Sequence, residues 1–422
     1  MRSDGNHRHH LGGLRSIRAM RSVITKFAIG LGCLGLVLRL VLALGSIGCD
    51  DAWFWGIHGQ TIAVHGIRFA YEEPHPRGLR YNHPPLMGYL AAMAFKTSAG
   101  SLRAFSLRMK VLGLLAEVLS AALVYRIWSR RRRPRLAALA FAAYGLSMPL
   151  ILVSGYHCNT DCAVAGLTLL SVYLLQTARR PFWAGLALAV ALNVKLMPLV
   201  LIPALLSQCR SRRDVLHFGA GVGLAIVPFA PFLINSAPDM YHKMVTYNSA
   251  PLDWGINAFL NSMGDLKPFS IITARLRAPF LWSSRYVIMA VITLLSGIAA
   301  FRRRPFGYEM GALAWAVFLI LTPGYAVQYA VCVLPLLFVV DIRRAIVYSL
   351  WAGLLLLVIY TPNMRLSYPL VAPVQYYPFP AVAALFGILA WGSLLGFAFD
   401  TVRTLVRPRR STYHAHDTQF SR

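Results

Sequence analysis

Residues 27–47 read FAIGLGCLGLVLRLVLALGSI, a run of 21 positions with one charge, Arg39, followed closely by the adjacent acids Asp50 and Asp51. A helix needs roughly 20 apolar residues to cross a hydrocarbon core. The run is too long for the apolar region of a signal peptide and lacks a small-residue cleavage site, so it reads as a retained first span. The rest of the chain repeats the pattern: 57% of its residues are hydrophobic, 14% are charged, and many apolar runs approach this length. The expected class is an all-α, polytopic membrane protein.

A formal charge of +27 would suit a nucleic-acid partner, but its distribution points elsewhere. The arginines cluster in the short gaps between apolar runs, at 130–135, 179–180, 210–213, 302–304, 343–344 and 407–410. Such clusters stay cytoplasmic, so they report topology. They also meet anionic headgroups of the membrane lipids. Nucleic acid is not an expected partner. The six cysteines have no metal-ligand spacing. Cys49 and Cys158 fall on the same expected face, which leaves a disulfide open; unpaired, small hydrophobic thiols are the simpler reading.

With the N-terminus inside, the first span leads out to Asp50, and a crossing at 109–128 returns the chain to the cluster at 130–135. Residues 48–108 then form an outer loop carrying short interfacial helices. Further spans fall at 136–153, 161–177, 215–234, 285–301, 307–322, 325–340, 345–360 and 379–400. Between Arg180 and Arg210 the stretch must cross an even number of times, so two short helices broken near residues 193–198 are expected. Interrupted helices are tolerated where they line a cavity. The total is about 12 spans with both termini inside. Of fifteen acids, eight fall outside: Asp50, Asp51, Glu72, Glu73, Asp161, Asp239, Asp253 and Asp265.

These outer residues are the candidates for chemistry. Asp50 and Asp51 are either a solvated helix end or a general base; a neighbouring like charge and partial burial raise a carboxyl pKa and help it accept a hydroxyl proton. Trp53, Trp55, His58 and Tyr71 follow, with aromatic faces suited to sugars or to the interface. Lys195 interrupts an apolar stretch, and either snorkels to the interface or stabilises an anion. His75, Arg80, His83 and His157 are further candidates to face a phosphate. Asp161 lies four residues beyond His157, the spacing at which a carboxylate on the same helix face could orient the imidazole. Arg39 lies deep in the first span and needs a partner; Glu117 is the nearest candidate.

Asp51, Gly66 and Tyr71, followed by Tyr81-Asn82-His83-Pro84-Pro85-Leu86-Met87-Gly88-Tyr89, resemble the first outer loop of GT-C membrane glycosyltransferases. In that superfamily an Asp at the end of the first span precedes a Gly-containing turn and a Tyr-Pro-Pro-Leu motif; here Asn82-His83 stands where many members have Asp-Tyr. Residues 155–161, Gly-Tyr-His-Cys-Asn-Thr-Asp, are similar to a segment opening a later helix. Asn193-Val194-Lys195-Leu196-Met197-Pro198 resembles a Lys-x-x-Pro element, and residues 323–329 with Leu334-Pro335 are a weaker match. The likeness is nearest to members that use polyprenyl-phosphate sugars.

The resemblance implies a GT-C-type bundle with an inverting hexosyltransferase activity, mannose or glucose favoured. Asp51, with Asp50 beside it, would be the base. Lys195, His157, His75, Arg80 and His83 would bind the donor phosphate, and Trp55, Tyr71, Tyr81, Asn159, Asp161, Tyr325 and Gln328 the substrates. The donor would be a polyprenyl- or dolichyl-phosphate sugar and the acceptor a glycan, lipid or protein. No cofactor is called for; a divalent metal is compatible but not required. The expected organisation is a basic N-terminus at 1–26, a catalytic module at 27–234, a variable membrane module at 235–402 and a basic tail at 403–422. The expected place is a bacterial plasma membrane serving the cell envelope, or the endoplasmic reticulum in a eukaryote. The rival readings are a transporter or flippase of lipid-linked sugars and a non-catalytic subunit of an envelope-polysaccharide assembly. The first would set its ionisable residues near the bilayer midplane, whereas here the acids fall at the outer helix ends.

Overall fold

The computed structural model describes residues 5–72, 80–233, 236–247, 254–264, 268, 270–302, 307–361 and 381–407. Among these residues the only regular structure is helical. The first span belongs to α1 (Gly5–Gly45). The outer loop folds as α2 (Asp50–His65), α3 (Ile67–Glu72) and α4 (Pro85–Thr97). Next come α5 (Leu102–Arg130), α6 (Pro134–Gly145) and α7 (Met148–Ile151), the last extended by a π-helical turn, Leu152–His157. The helices α8 (Asp161–Gln176), α9 (Pro181–Val194), α10 (Ile202–Leu206), α11 (Arg212–Gly223) and α12 (Ala237–Met240) follow. The remainder is α13 (Gly255–Gly264), α14 (Ser270–Phe301), α15 (Gly307–Leu321), α16 (Leu334–Val340), α17 (Ile342–Tyr360) and α18 (Ala381–Val406).

Each of the twelve expected spans is helical, but not all are long. Among the described residues, six helices have the length and apolar character to cross a membrane, and a seventh crossing results if Pro134–Gly145 and Met148–His157, bent by 51°, count as one. Shorter apolar helices such as Asp161–Gln176 and Gly307–Leu321 lie largely buried within the bundle. At about 1.5 Å per residue, the 16 residues of α8 reach about 24 Å, less than a hydrocarbon thickness of about 30 Å. The stretch from 181 to 206 is interrupted where expected: α9 ends at Val194, Lys195 is extended (φ −159°, ψ 144°), and the chain resumes as the 3-10 turn Met197–Leu201.

Close helix crossings explain several small residues. A Cβ on Gly35 of α1 would lie 2.0 Å from the Gly145 carbonyl oxygen of α6, so the two backbones touch directly. Arg39 sits at this crossing, 1% exposed. Its Nε pairs with Glu117 Oε2 of α5 at 3.2 Å, as expected, and it donates to the Gly35 carbonyl at 2.8 Å and the Tyr144 carbonyl at 3.1 Å. One buried cation thus ties three helices together. All six cysteines are free, including Cys49 and Cys158.

The bundle has two chemically distinct ends. At one, Arg131 donates to the Val339 carbonyl at 2.7 Å and covers the Trp128 ring, and Thr177 bonds the Tyr308 hydroxyl at 2.6 Å. Among the described residues, Asp51, His157, Asp161 and Lys195 gather at the other, the N-terminal end of α8.

Candidate active site

Asp51 occupies the first turn of α2, immediately after the bend that ends α1. Further along, Gly66 (φ +84°) caps α2 with a backbone conformation that side chains disfavour, and donates to the Ile62 carbonyl at 3.0 Å. This turn leads into α3, where Tyr71 bonds the His83 carbonyl at 2.6 Å; Tyr81 bonds the Pro84 carbonyl at 2.9 Å. Tyr71 and Tyr81 are buried and shape the segment before α4. That segment sets the His83 ring 4.5 Å from the ring of Trp55.

The second part of the site comes from the junction between α7 and α8. The π-helical turn ends at His157, and Cys158 is left-handed (φ 64°), a strained conformation for a residue with a Cβ. The reversal places His157 Nε2 at 2.9 Å from Asp51 Oδ2. Asn159 Nδ2 donates to the same oxygen. The Asn159 side-chain Oδ1 accepts from Thr160 N–H at 2.6 Å, which fixes the amide with its NH2 towards Asp51. Both bonds converge on Oδ2, leaving Oδ1 for another partner. The other ring nitrogen of His157 is bonded to the Tyr360 hydroxyl at the end of α17.

The same reversal corrects one expectation. Asp161 does not orient His157, because the left-handed residue between them breaks the four-residue helical relation. Asp161 instead receives two 3.0 Å bonds from Lys195 Nζ, one on each carboxylate oxygen. Asp161 is fully buried, the Lys195 side chain is 13% exposed, and its ammonium lies 4.6 Å from the centre of the Tyr329 ring. Lys195 is therefore neither unpaired nor snorkelling.

Asp51 and Lys195 line one cavity of about 770 Å³. Of the other residues singled out from the sequence, Trp55, Arg80, His83, Asn159 and Gln328 line it too. His157 and Asp161 stand behind Asp51 and Lys195; Asp50, Tyr71 and Tyr81 are not on the wall. Tyr325 is buried against Trp254, ring on ring at 3.9 Å, rather than facing the cavity. His75 lies outside the described residues. Tyr329, from the quoted segment 323–329, lines the cavity as well, and Arg285, Tyr286 and Met289 line it without having been singled out. Arg285 carried a legible signal: it is a lone cation at the expected outer end of a span whose inner end is the cluster at 302–304. Tyr360 gave none, ending an apolar run like any interfacial tyrosine.

Burial works against ionisation of Asp51. The electrostatic attraction of the His157 ring, the hydrogen bonds from His157 and Asn159 and the charge of Lys195 outweigh it, and hold the carboxyl below its usual range. Asp50 moves the opposite way, raised by burial and by the charge of Asp51. The raised pKa expected from a neighbouring charge and partial burial is therefore met at Asp50 and not at Asp51. Burial, with the charge of Lys195, pushes the His83 imidazole down to about 3, so His83 is neutral and can meet an anion only through a hydrogen bond. The cations on the wall are Lys195, Arg80 and Arg285. Cys49, Asp51 and His157 bring potential metal ligands within 4.8 Å of one another. The Cys49 thiol, however, donates to the His157 carbonyl at 3.1 Å and is raised by burial and by Asp51, which disfavours the thiolate a metal would require.

Comparison with known families gives one match: the model of glycosyltransferase family 87 aligns with residues 83–323, more than half of the chain. That interval includes His157, Asn159, Asp161 and Lys195, whereas Asp51 and Tyr360 fall on either side of it. No curated protein matches the chain.

Proposed function

The chain belongs to glycosyltransferase family 87, a GT-C-type family of membrane glycosyltransferases, and from that premise we propose that it transfers a hexose, mannose or glucose, from a polyprenyl-phosphate sugar to an acceptor hydroxyl, inverting C1. The observation carrying this reading is one cavity walled by a carboxylate held ionised and by three cations.

Asp51 Oδ1 takes the proton of the acceptor hydroxyl. The acceptor oxygen forms its bond to C1 as the bond from C1 to the phosphate oxygen breaks, and the phosphate departs with the electron pair. Asn159 and His157 hold Oδ2 and so aim the carboxylate. Lys195, kept in place by Asp161, meets the charge that grows on the leaving phosphate, with Arg80 and Arg285 beside it. Trp55 offers an aromatic face to the sugar. The polyprenyl chain lies against the apolar part of the wall, which includes Leu196, Met197, Met289 and Phe318.

The membrane arrangement belongs to the same proposal: twelve crossings, termini inside, and the cavity open to the extracytoplasmic face. A catalytic module at 27–234 and a variable one at 235–402 follow, with Arg285 and Tyr360 supplied by the second. A nucleotide-sugar donor is disfavoured because the reactive face is read as extracytoplasmic. The test is incubation of the purified, reconstituted protein with labelled polyprenyl-phosphate hexoses and an acceptor extract. Transfer from at least one donor, with the opposite anomeric configuration in the product, is expected. Folded protein that transfers from none of them overturns the proposal.

A further inference from the structure

Tyr360 and His157 form a contact that the reaction as written does not use. The imidazole is 4% exposed and Tyr360 3%, and both ring nitrogens are engaged, Nε2 with Asp51 Oδ2 and Nδ1 with the Tyr360 hydroxyl. A neutral imidazole has one N–H and one bare nitrogen, and the partner at one end decides what the other end offers. If Nδ1 carried the hydrogen, Nε2 would present a lone pair to a carboxylate oxygen, and Asp51 would lose a donor.

We propose that Tyr360 is a positioning residue that donates its hydroxyl hydrogen to His157 Nδ1, fixes the tautomer protonated on Nε2, and thereby keeps Asp51 aimed with Oδ1 towards the acceptor. This deepens the reading of Asp51 as base and rests on it. The titratable groups facing the imidazole are Asp51 and Asp50 from α2, Cys49 before it, Tyr156 beside it and Tyr360 from α17. Among them Tyr360 is the one bonded to Nδ1. The tie also links the last long helices of the bundle to the first outer helix, α17 to α2, through one ring.

The direct test does not depend on turnover. Nitrogen-15 solid-state NMR of the reconstituted protein, with the His157 signals identified by their loss in His157→Gln, reports which ring nitrogen carries hydrogen. The wild type should show Nε2 protonated and Nδ1 bare, and Tyr360→Phe should convert this to a mixture. A wild-type ring protonated on Nδ1 or on both nitrogens, or a tautomer unchanged in Tyr360→Phe, overturns the proposal. In transfer assays Tyr360→Phe should lower kcat about tenfold, the size of one lost hydrogen bond, with KM little changed. The acid limb of its pH profile should move to higher pH, because Asp51 loses support for its charge. His157→Gln keeps an N–H towards Asp51 but removes the Nδ1 contact, so adding Tyr360→Phe to it should cost nothing further; additive losses would assign Tyr360 to packing alone. Should Tyr360→Phe fail to fold, 3-fluorotyrosine at 360 makes the same NMR test with the hydroxyl retained, and an unmoved Nδ1 signal overturns the proposal. Absence of transfer by the wild type would defeat the reading of Asp51 as base, while the NMR result would still decide whether Tyr360 sets the tautomer.

Discussion

At the scale of single residues, Lys195 serves two partners. Its bidentate bond to a fully buried Asp161 means that removing the lysine strands a carboxylate away from water. Lys195→Met is therefore expected to lower transfer by about 10²–10³, the size of one electrostatic contact to a developing charge. It should also destabilise the protein by about 3–5 kcal/mol, as a buried pair broken on one side does. The double variant Lys195→Met/Asp161→Asn should regain much of the melting temperature and none of the activity. Recovery of both would assign the lysine to structure. His83 gives a second residue-scale prediction. Its folded value of about 3 lies below the unfolded value near 6.5, so the unfolded chain binds the extra proton between those two pH values. The contribution of His83 is then full above about pH 6.5 and lost as the pH falls towards about 3. Melting temperatures measured through that window should fall less steeply in His83→Gln than in the wild type.

At the scale of elements, the junctions carry more of the site than the helices do. The π turn at 152–157, left-handed Cys158 and extended Lys195 each end a helix where a polar side chain must face the cavity. The sequence displays the break at Lys195, because a lysine and a proline three residues on cannot continue an apolar helix comfortably. It also displays the Arg39–Glu117 pair, since each is a lone charge in a long apolar run. It hides the pairing of Asp161, because the regular four-residue spacing from His157 assumes a continuous helix and one left-handed residue cancels it. It hides Tyr360 as well: a tyrosine at a helix end looks the same whether it meets headgroups or an imidazole 203 residues earlier in the chain. The element-scale prediction concerns α1. Arg39→Met removes the cation from a buried Glu117 and from carbonyls of α1 and α6, and is expected to cost about 3–5 kcal/mol. Arg39→Met combined with Glu117→Leu should recover most of it, measured by thermal unfolding in detergent.

At the scale of the whole molecule, composition and charge distribution are enough for a helical membrane protein, and the arginine clusters divide it into two ends. The bundle agrees in gathering Arg131, Thr177 and Tyr308 at one end and Asp51, His157 and Lys195 at the other. Length is less legible, since several apolar segments are shorter than a full bilayer-spanning helix and lie largely buried among their neighbours. Single cysteines introduced at positions 82 and 285 should react with impermeant thiol reagents from the extracytoplasmic side, and one at 131 only after permeabilisation; the reverse pattern would invert the proposed orientation.

The central claim is that Asp51 takes the proton in a transfer from a lipid phosphate. The most direct measurement compares wild type and Asp51→Asn in proteoliposomes supplied with a labelled polyprenyl-phosphate hexose and acceptor, scoring donor binding and product together. The amide keeps the shape and cannot take the proton, so product formation should fall about 10²–10⁴ while the donor still binds. An Asp51→Asn protein that transfers at the wild-type rate would contradict the account.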